Sequence, residues 1–541
     1  MLATTAIYAQ KDMSVVWEAK MEHRSEYKGT GLEGDVSYVA SDKEITVFKN
    51  DDGSIVWSKK FKEIAPNLRK IDELEPFWKS NVIFLFDRKL GKDQIACVDL
   101  TTGDLLWTSD KYQDVTDDNL IYIREKNAFA MSIKKGLVLI DARTGEEFWQ
   151  TALFSGVVGQ YLYDGDTETM TIVNFKPAGL AALFAGFKNQ IVRLDINTGK
   201  FLWEQKYIGQ AERKVISREY LYELDLVEDK VMLRLNGLQA FDYKTGKALW
   251  SAAFDFSPEG AARKPAGKVL KFGVYGAVAD PVISGDYIYV LDMSRKNKQF
   301  INKYDKYSGN LVWTSPEIKG GARAIPNMYV VGNRVILQIG GIVEVQSVVE
   351  KKTTVNGVTT TTKTTKISFE NVKPNGVQAF DTESGQFAWD SERFKKGITN
   401  MLSIGDDIIV CSGKAYYGLK GSNGAELYER SIKDDGIGWA SSIFEHNGKI
   451  VVVGAKGISF HDIETGKLTA SNKYKNSTLE SVQGDILVMK TASADIAAFD
   501  LNDCSYTEFK AKNDAHTWLS LTSEYVYIYE NKKVKKVKTR G

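Results

Sequence analysis

AFDYKTGKALW, residues 240–250, and AFDTESGQFAW, residues 379–389, share one pattern: an apolar strand, then Asp, three residues, Gly, three residues and Trp. The pattern returns as CVDLTTGDLLW (97–107), LIDARTGEEFW (139–149), RLDINTGKFLW (193–203) and KYDKYSGNLVW (303–313). A looser copy, VFKNDDGSIVW, ends at Trp57, and degenerate copies GLKGSNGAELY, FHDIETGKLTA and AFDLNDCSYTE end at Tyr428, Ala470 and Glu508. The glycines stand about 40 to 76 residues apart, room for one four-stranded unit each time.

Each position has a physical reason. An Asp side chain accepts hydrogen bonds from the N–H groups of its own turn, so Asp99, Asp141, Asp195, Asp242, Asp305, Asp381, Asp462 and Asp500 read as turn formers rather than catalytic acids. Gly103, Gly145, Gly199, Gly246, Gly309 and Gly385 supply the positive φ that a type I turn with a following bulge requires. Trp107, Trp149, Trp203, Trp250, Trp313 and Trp389 fall on the strand after the turn, where an indole buries a large face and donates its N–H to a carbonyl. Between motifs the chain is strand-like: NVIFLFD (81–87), YIYVLD (287–292) and KIVVV (449–453) are apolar runs with turn pairs such as Gly285-Asp286, Gly405-Asp406 and Asn447-Gly448 before strands. The fold class is therefore all-β, a β-propeller of four-stranded antiparallel blades.

The two ends complement each other. SVVWEAK (14–20) is an outer strand lacking inner strands, and EYVYIYENKKVKKV (524–537) is two inner strands lacking an outer one. The N-terminal strand is expected to join the last blade and remove a free edge, giving about eleven blade units over 11–541. These form either one wide ring or two propellers, for which the Gly-, Ala- and Lys-rich stretch 258–276 is the candidate division.

The spacing Ala, Gly six residues on, Trp four further resembles the tryptophan-docking motif of the pyrroloquinoline-quinone-enzyme-like propellers; Ala240, Gly246 and Trp250 match it fully, as do Ala379, Gly385 and Trp389. The motif occurs both in quinoprotein alcohol dehydrogenases and in non-enzymatic scaffolds such as the propeller subunit of the outer-membrane β-barrel assembly machinery. The dehydrogenase branch implies pyrroloquinoline quinone with calcium, a catalytic Asp and a disulfide of adjacent cysteines. Cys97, Cys411 and Cys504 are far apart, and no calcium ligand set emerges from the spacing. The chain resembles the scaffold members more, and no cofactor is expected.

The remaining residues narrow the function. The chain of 541 residues carries 71 Lys and Arg against 70 Asp and Glu, which argues against a nucleic-acid coat. The basic run from Lys532 to Arg540 reads as a solvated strand edge. His23, His446, His461 and His516 have no metal or triad spacing and read as solvated turn and strand positions. No P-loop, GxSxG or HExxH occurs. MLATTAIYAQ (1–10) reads as the end of a signal peptide, and no apolar run spans a membrane. Two insertions interrupt the repeat. PAGLAALFAGF (177–187) carries Pro177, Leu180, Leu183, Phe184 and Phe187, an apolar patch suited to local packing or a partner. Residues 343–370 flank Val355-Asn356-Gly357-Val358 with β-branched runs and read as a hairpin arm, either decorative or a docking arm. The expected function is a non-catalytic exported scaffold of the bacterial envelope, periplasmic or outer-membrane associated, that binds protein partners, an outer-membrane complex among the candidates. The alternatives are a quinone-dependent dehydrogenase and a glycan-binding propeller using Trp78, Trp439 and Trp518, aromatics that are expected to pack between blades instead.

Overall fold

In a computed structural model, which describes residues 11–31, 35–88, 94–112, 120–133, 136–175, 187–208, 223–235, 237–253, 269–295, 298–319, 324–355, 358–391 and 394–540, each Asp–Gly–Trp phrase joins the third and fourth strands of a sheet. In the 73–109 blade, Gly103 N–H donates to Asp99 O at 2.8 Å and Asp99 N–H to Asp104 O at 2.9 Å, closing the turn. The ladder then slips between Leu105 and Trp107, the bulge that a glycine in the left-handed region introduces.

The described residues form eleven antiparallel sheets, the blades of a β-propeller. Strands follow one another in chain order across eight of these sheets, by hairpins; the exceptions are the two sheets that the N-terminal strands join and the 328–390 sheet, to which Val269–Tyr275 is added from before the 282–314 blade. The inner strands are buried along their whole length, as in Val82–Asp87 and Lys449–Gly454 after its first residue, because a neighbouring blade covers each face. That is why they read as continuous apolar runs rather than alternating ones. A fully buried side chain such as Phe84 contributes roughly 1.5–3 kcal/mol. Among the described residues no helix is long and apolar enough to cross a membrane.

The chain falls into two compact units, Met1–Tyr207 with Tyr474–Gly541, and Ile208–Lys473. In the first, the blades are 27–60, 73–109, 120–151, 157–205, 477–510 and 516–538. Their cores interlock in sequence. Val526, Ile528 and Val537 meet Ile486 and Val488. Tyr527 and Tyr529 meet Val39 and Phe48. Val47 and Trp57 meet Ile83 and Val98. Phe84 and Cys97 meet Phe129 and Val138, and Leu139 meets Ile172 and Val192. The second unit holds the blades 223–252, 282–314, 328–390, 398–431 and 440–473.

The N-terminal strand Val15–Lys20 pairs antiparallel with Lys533–Lys538 and completes the last blade, as the sequence indicates. Lys11 and Asp12 add a short parallel strand to Tyr506–Lys510 of the preceding blade as well. One expectation fails here. The basic run is an inner strand, paired on both sides, and not an edge. Lys536 is buried within it, because its ammonium finds the Asn50 carbonyl at 2.9 Å and the Tyr525 ring at 4.1 Å. In the stretch 258–276, residues up to 268 lie outside the described set, and Val269–Tyr275 is a strand paired with residues 344–349. Residues 1–10 also lie outside it.

Candidate functional site

The repeated side chains act between blades. The Trp57 ring lies on Gly103, where a Cβ would stand 2.7 Å from the indole, and Trp57 Nε1 donates to Leu100 O at 2.8 Å. Trp107 lies likewise on Gly145 and reaches Ala142 O at 3.3 Å. Trp149 lies on Gly199 and reaches Ile196 O at 2.7 Å. Trp313 lies on Gly385 and reaches Thr382 O at 3.1 Å, and Trp389 lies on Gly424 and reaches Gly421 O at 3.1 Å. Trp250 lies on Gly309, yet its buried Nε1 has no acceptor. Trp203 is buried, and Gly246 sits at φ 72°. At Gly103, Gly145, Gly199, Gly309, Gly385 and Gly424 glycine is thus required twice over, by the positive φ and by the indole of the preceding blade.

The residue opposite each indole on the third strand varies, and the structure shows what the variants do. Lys303 pairs with Trp313, and its Nζ also reaches Thr382 O, at 2.8 Å. Lys536 pairs with Trp17, and both donate to Asn50 O, each at 2.9 Å. Cys97 pairs with Trp107, and its thiol shares Ala142 O at 3.4 Å. Sequence reading missed these donors because a Lys in a strand carries no local sign of burial.

The turn aspartates are engaged. Asp305 Oδ1 accepts from Ser308 N–H at 2.7 Å and Ser308 Oγ–H at 2.8 Å, and these bonds hold its carboxyl below the usual carboxylate range. Thr245 does the same for Asp242, and Ser384 for Asp381.

The largest departure from the repeat is the arm. Strands Arg334–Val355 and Val358–Asp381 pair from the 328–390 blade out to Val355 opposite Val358, with one register shift between Ile339 and Gly341 that leaves Lys373, Pro374 and Asn375 out of the ladder. At about 3.3 Å per residue, the first strand is on the order of 70 Å long. Asn356 and Gly357 lie outside the described residues. Val269–Tyr275 flanks one side of the pair near its root. On the other side, residues 358–370 have no strand partner among the described residues. Ile367 and Phe369, 58% and 69% exposed, stand on that strand.

At the root of the arm lies a cavity of about 420 Å³ lined by Lys373, Pro374, Asn375, Phe394 and Lys395. Asn375 is buried, and its Oδ1 has no hydrogen-bond partner. Phe394 is held by the Tyr417 ring at 4.7 Å and by its N–H donating to Asn375 O at 2.9 Å. Lys373 and Lys395 are exposed.

Of the apolar insertion, Phe187 is half-buried against Gly156, while Pro177, Leu180, Leu183 and Phe184 lie outside the described residues. The histidines divide. His446 and His516 are not buried, but His23 and His461 are, contrary to the solvated positions expected. His461 Nε2 lies 2.8 Å from Ser459 Oγ and 3.3 Å from the Asp435 carboxylate, with the Tyr416 ring at 4.7 Å. Among the described residues no cluster of His, Cys, Asp and Glu is arranged for a metal. The three cysteines are free and buried, and burial pushes the Cys411 thiol up to about 12. Trp78 packs on Tyr38, but Trp439 and Trp518 are 50% and 40% exposed instead of lying between blades. Trp439 is flanked by the Lys396 and Lys414 ammonium groups at 5.7 and 5.8 Å.

A family model described as outer membrane protein assembly factor BamB matches residues 4–116, 91–267 and 237–505. The outer membrane protein assembly factor BamB of Burkholderia pseudomallei is 25% identical over 193 residues, 35% of this chain and 44% of that protein, so the alignment spans less than half of the relative's length. The BamB structure from Moraxella catarrhalis is similar at 16% identity and a TM-score of 0.30, over 70% of this chain and 92% of that one. A computationally designed protein, Ika8, is similar at 12% identity and a TM-score of 0.35, over 71% of this chain and 97% of its own.

Proposed function

The chain belongs to the outer membrane protein assembly factor BamB family, and from that premise we propose that it is an exported, non-catalytic propeller scaffold that holds protein partners at the outer membrane. The observation that carries this reading is the arm: strands of 22 and 24 residues that run on past their blade, the second with no partner on its outer edge over 358–370 among the described residues. Open edges recruit extended chain through backbone hydrogen bonds, which gives affinity without a deep pocket. The repeated aspartates and indoles hold turns and blade contacts together, so binding falls to what departs from the repeat: the arm and its root. The working compartment in this reading is the periplasm or the inner face of the outer membrane. Crosslinking in intact cells, followed by capture of the tagged chain, tests it. Recovery of outer-membrane barrels or their assembly components is expected. Recovery of the chain alone, in the soluble fraction of the cytoplasm, overturns the reading.

A further inference from the structure

Trp439 is not one of the repeated indoles that lie on a glycine of the next blade. It stands in the connection 432–439, just before Ala440–His446, the first strand of its blade, and is 50% exposed. Lys396 precedes Ile398–Ile404, the first strand of the adjacent blade, and Lys414 lies in the turn between that blade's second and third strands. In antiparallel blades these points share one end. Both lysines are exposed, with their ammonium groups 5.7 and 5.8 Å from the centre of the indole.

Two properties mark the place as a site. The first is unanswered charge. Neither Lys396 nor Lys414 has a carboxylate within ion-pairing distance among the described residues. Their ammonium groups also stand near the outer limit of a cation–π contact, whereas Lys303 and Lys319 lie 3.6 Å from the rings they cover. The second is a fixed backbone. Trp439 O accepts from Ala455 N–H at 2.9 Å, Ala440 N–H donates to Gly413 O at 3.3 Å, and Lys456 N–H donates to Ile437 O at 2.7 Å. A Cβ on Gly413 would stand 3.2 Å from the indole and 2.8 Å from the Lys396 stem, so a glycine there lets ring and stem lie side by side. A platform ordered in advance lowers the cost of binding.

The surroundings select the ligand. Among the described residues of 394–397, 413–414, 432–439 and 455–456, Trp439 is the one exposed large hydrophobic side chain. A membrane surface is held by more than one such group, because binding scales with the apolar area buried. The centre of a protein interface is poor in lysine. The balance of 71 basic against 70 acidic residues argues against nucleic acid. One flat apolar face beside two cations instead matches a single sugar ring. The C–H face of a pyranose covers an indole, and an acidic substituent meets the ammonium groups, apolar contact and a few polar groups together fixing a small ligand.

We propose that Trp439, Lys396 and Lys414 form a binding site for an acidic sugar, a pyranose carrying a carboxylate or a phosphate. The ring stacks on the exposed part of Trp439, and the anion lies against the two ammonium groups. The site is independent of the scaffold reading.

The test is isothermal titration calorimetry of the full chain with tetragalacturonate. Saturable binding is expected, weakened at least about tenfold, equivalent to about 1.4 kcal/mol, in Trp439→Ala and in Lys396→Gln/Lys414→Gln. Trp439→Tyr keeps an aromatic face and is expected to restore binding. The fully methyl-esterified oligomer keeps the rings without the charge and is expected to bind as weakly as the lysine variant. All three side chains are exposed, so the variants are expected to keep the parent melting temperature; if Trp439→Ala does not, the lysine variant and the ester decide alone. Displacement of the oligomer by galacturonate or by galactose 6-phosphate is expected, the stronger competitor identifying the anion. Absence of saturable binding, equal binding of the ester, or unchanged binding in the variants overturns the proposal. So does equal binding of polyaspartate, which reduces the site to a general anion patch, of AMP, which makes it a base-stacking site, or of phosphatidylglycerol vesicles, which makes it a lipid contact. A chain that still captures outer-membrane partners but binds no acidic sugar loses this site and keeps the scaffold reading.

Discussion

Trp313 and Lys303, neighbours across the third and fourth strands of one blade, donate to a single oxygen, the carbonyl of Thr382 in the next, at 3.1 and 2.8 Å. A carbonyl has two lone pairs, so the two donors complement rather than compete. The Lys303 ammonium also lies 3.6 Å from the Tyr287 ring, and burial pulls its pKa below the ordinary lysine value. Trp250, one blade earlier, has the same ring placement on a glycine but no acceptor for its Nε1.

That contrast gives the first prediction. Trp313→Phe and Trp250→Phe both lose part of an indole, but only Trp313→Phe loses a hydrogen bond and leaves its acceptor to Lys303 alone. Trp313→Phe is expected to cost about 1 kcal/mol more than Trp250→Phe, measured by urea unfolding. Equal costs would show that the indole N–H contributes nothing to blade contacts.

Glycine substitutions separate backbone strain from collision. Gly332 sits at φ 55° with nothing within 4 Å of its absent Cβ, whereas Gly103 sits at φ 70° with the Trp57 ring 2.7 Å away. Gly332→Ala is expected to cost roughly 1–2 kcal/mol, the left-handed penalty alone. Gly103→Ala adds about 1–3 kcal/mol for overpacking. The difference in unfolding free energy checks it.

Strand Val15–Lys20 belongs to the last blade. Trp17→Ala is expected to destabilise by roughly 3–5 kcal/mol, because Trp17 is buried against Phe48 and Tyr527. Amide exchange offers a sharper readout: strand Lys533–Lys538 should lose protection, since it would then face solvent on the side of Val15–Lys20. Loss of protection confined to residues near Trp17 would contradict the shared blade.

Acid acts through the turns. The folded-state values of Asp242, Asp305 and Asp381 are depressed, so their contribution is present above the unfolded value of 3.8 and is lost as pH falls through the folded values. Asp305→Asn keeps an acceptor oxygen but removes the charge. Its stability deficit relative to the parent is expected to be constant near neutrality, to shrink as pH falls below 3.8 and to vanish only once pH is below the depressed folded value. A deficit that persists in acid would mean that the charge is irrelevant to the turn.

Added pyrroloquinoline quinone and calcium are expected to give no turnover of alcohols or sugars and no quinone absorbance shift. A stoichiometric shift would move the chain toward the dehydrogenase branch of its fold.

Much of the architecture is legible in one dimension because turn chemistry is local. Asp99 and Gly103 form their turn within five residues, and the same five-residue unit recurs from blade to blade. Repetition then implies the number of blades, and the unmatched strands at 14–20 and 524–537 imply closure by the N-terminus. The candidate site is less legible. The arm is visible as β-branched runs around Asn356-Gly357, but the cavity at its root joins Lys373–Asn375 to Phe394 and Lys395 across a turn with no sequence signature of its own.

Sequence alone determined the strand order within a blade, the turns and the identity of the indoles, all properties of residues a few positions apart. Tertiary structure alone decided which donors those indoles share, why Lys303, Lys536 and His461 are buried, and why Trp439 is not. The physical reason is range. A turn closes on its own backbone, whereas Thr382 reaches Lys303 and Trp313 only after two blades have packed, 79 and 69 residues apart in the chain.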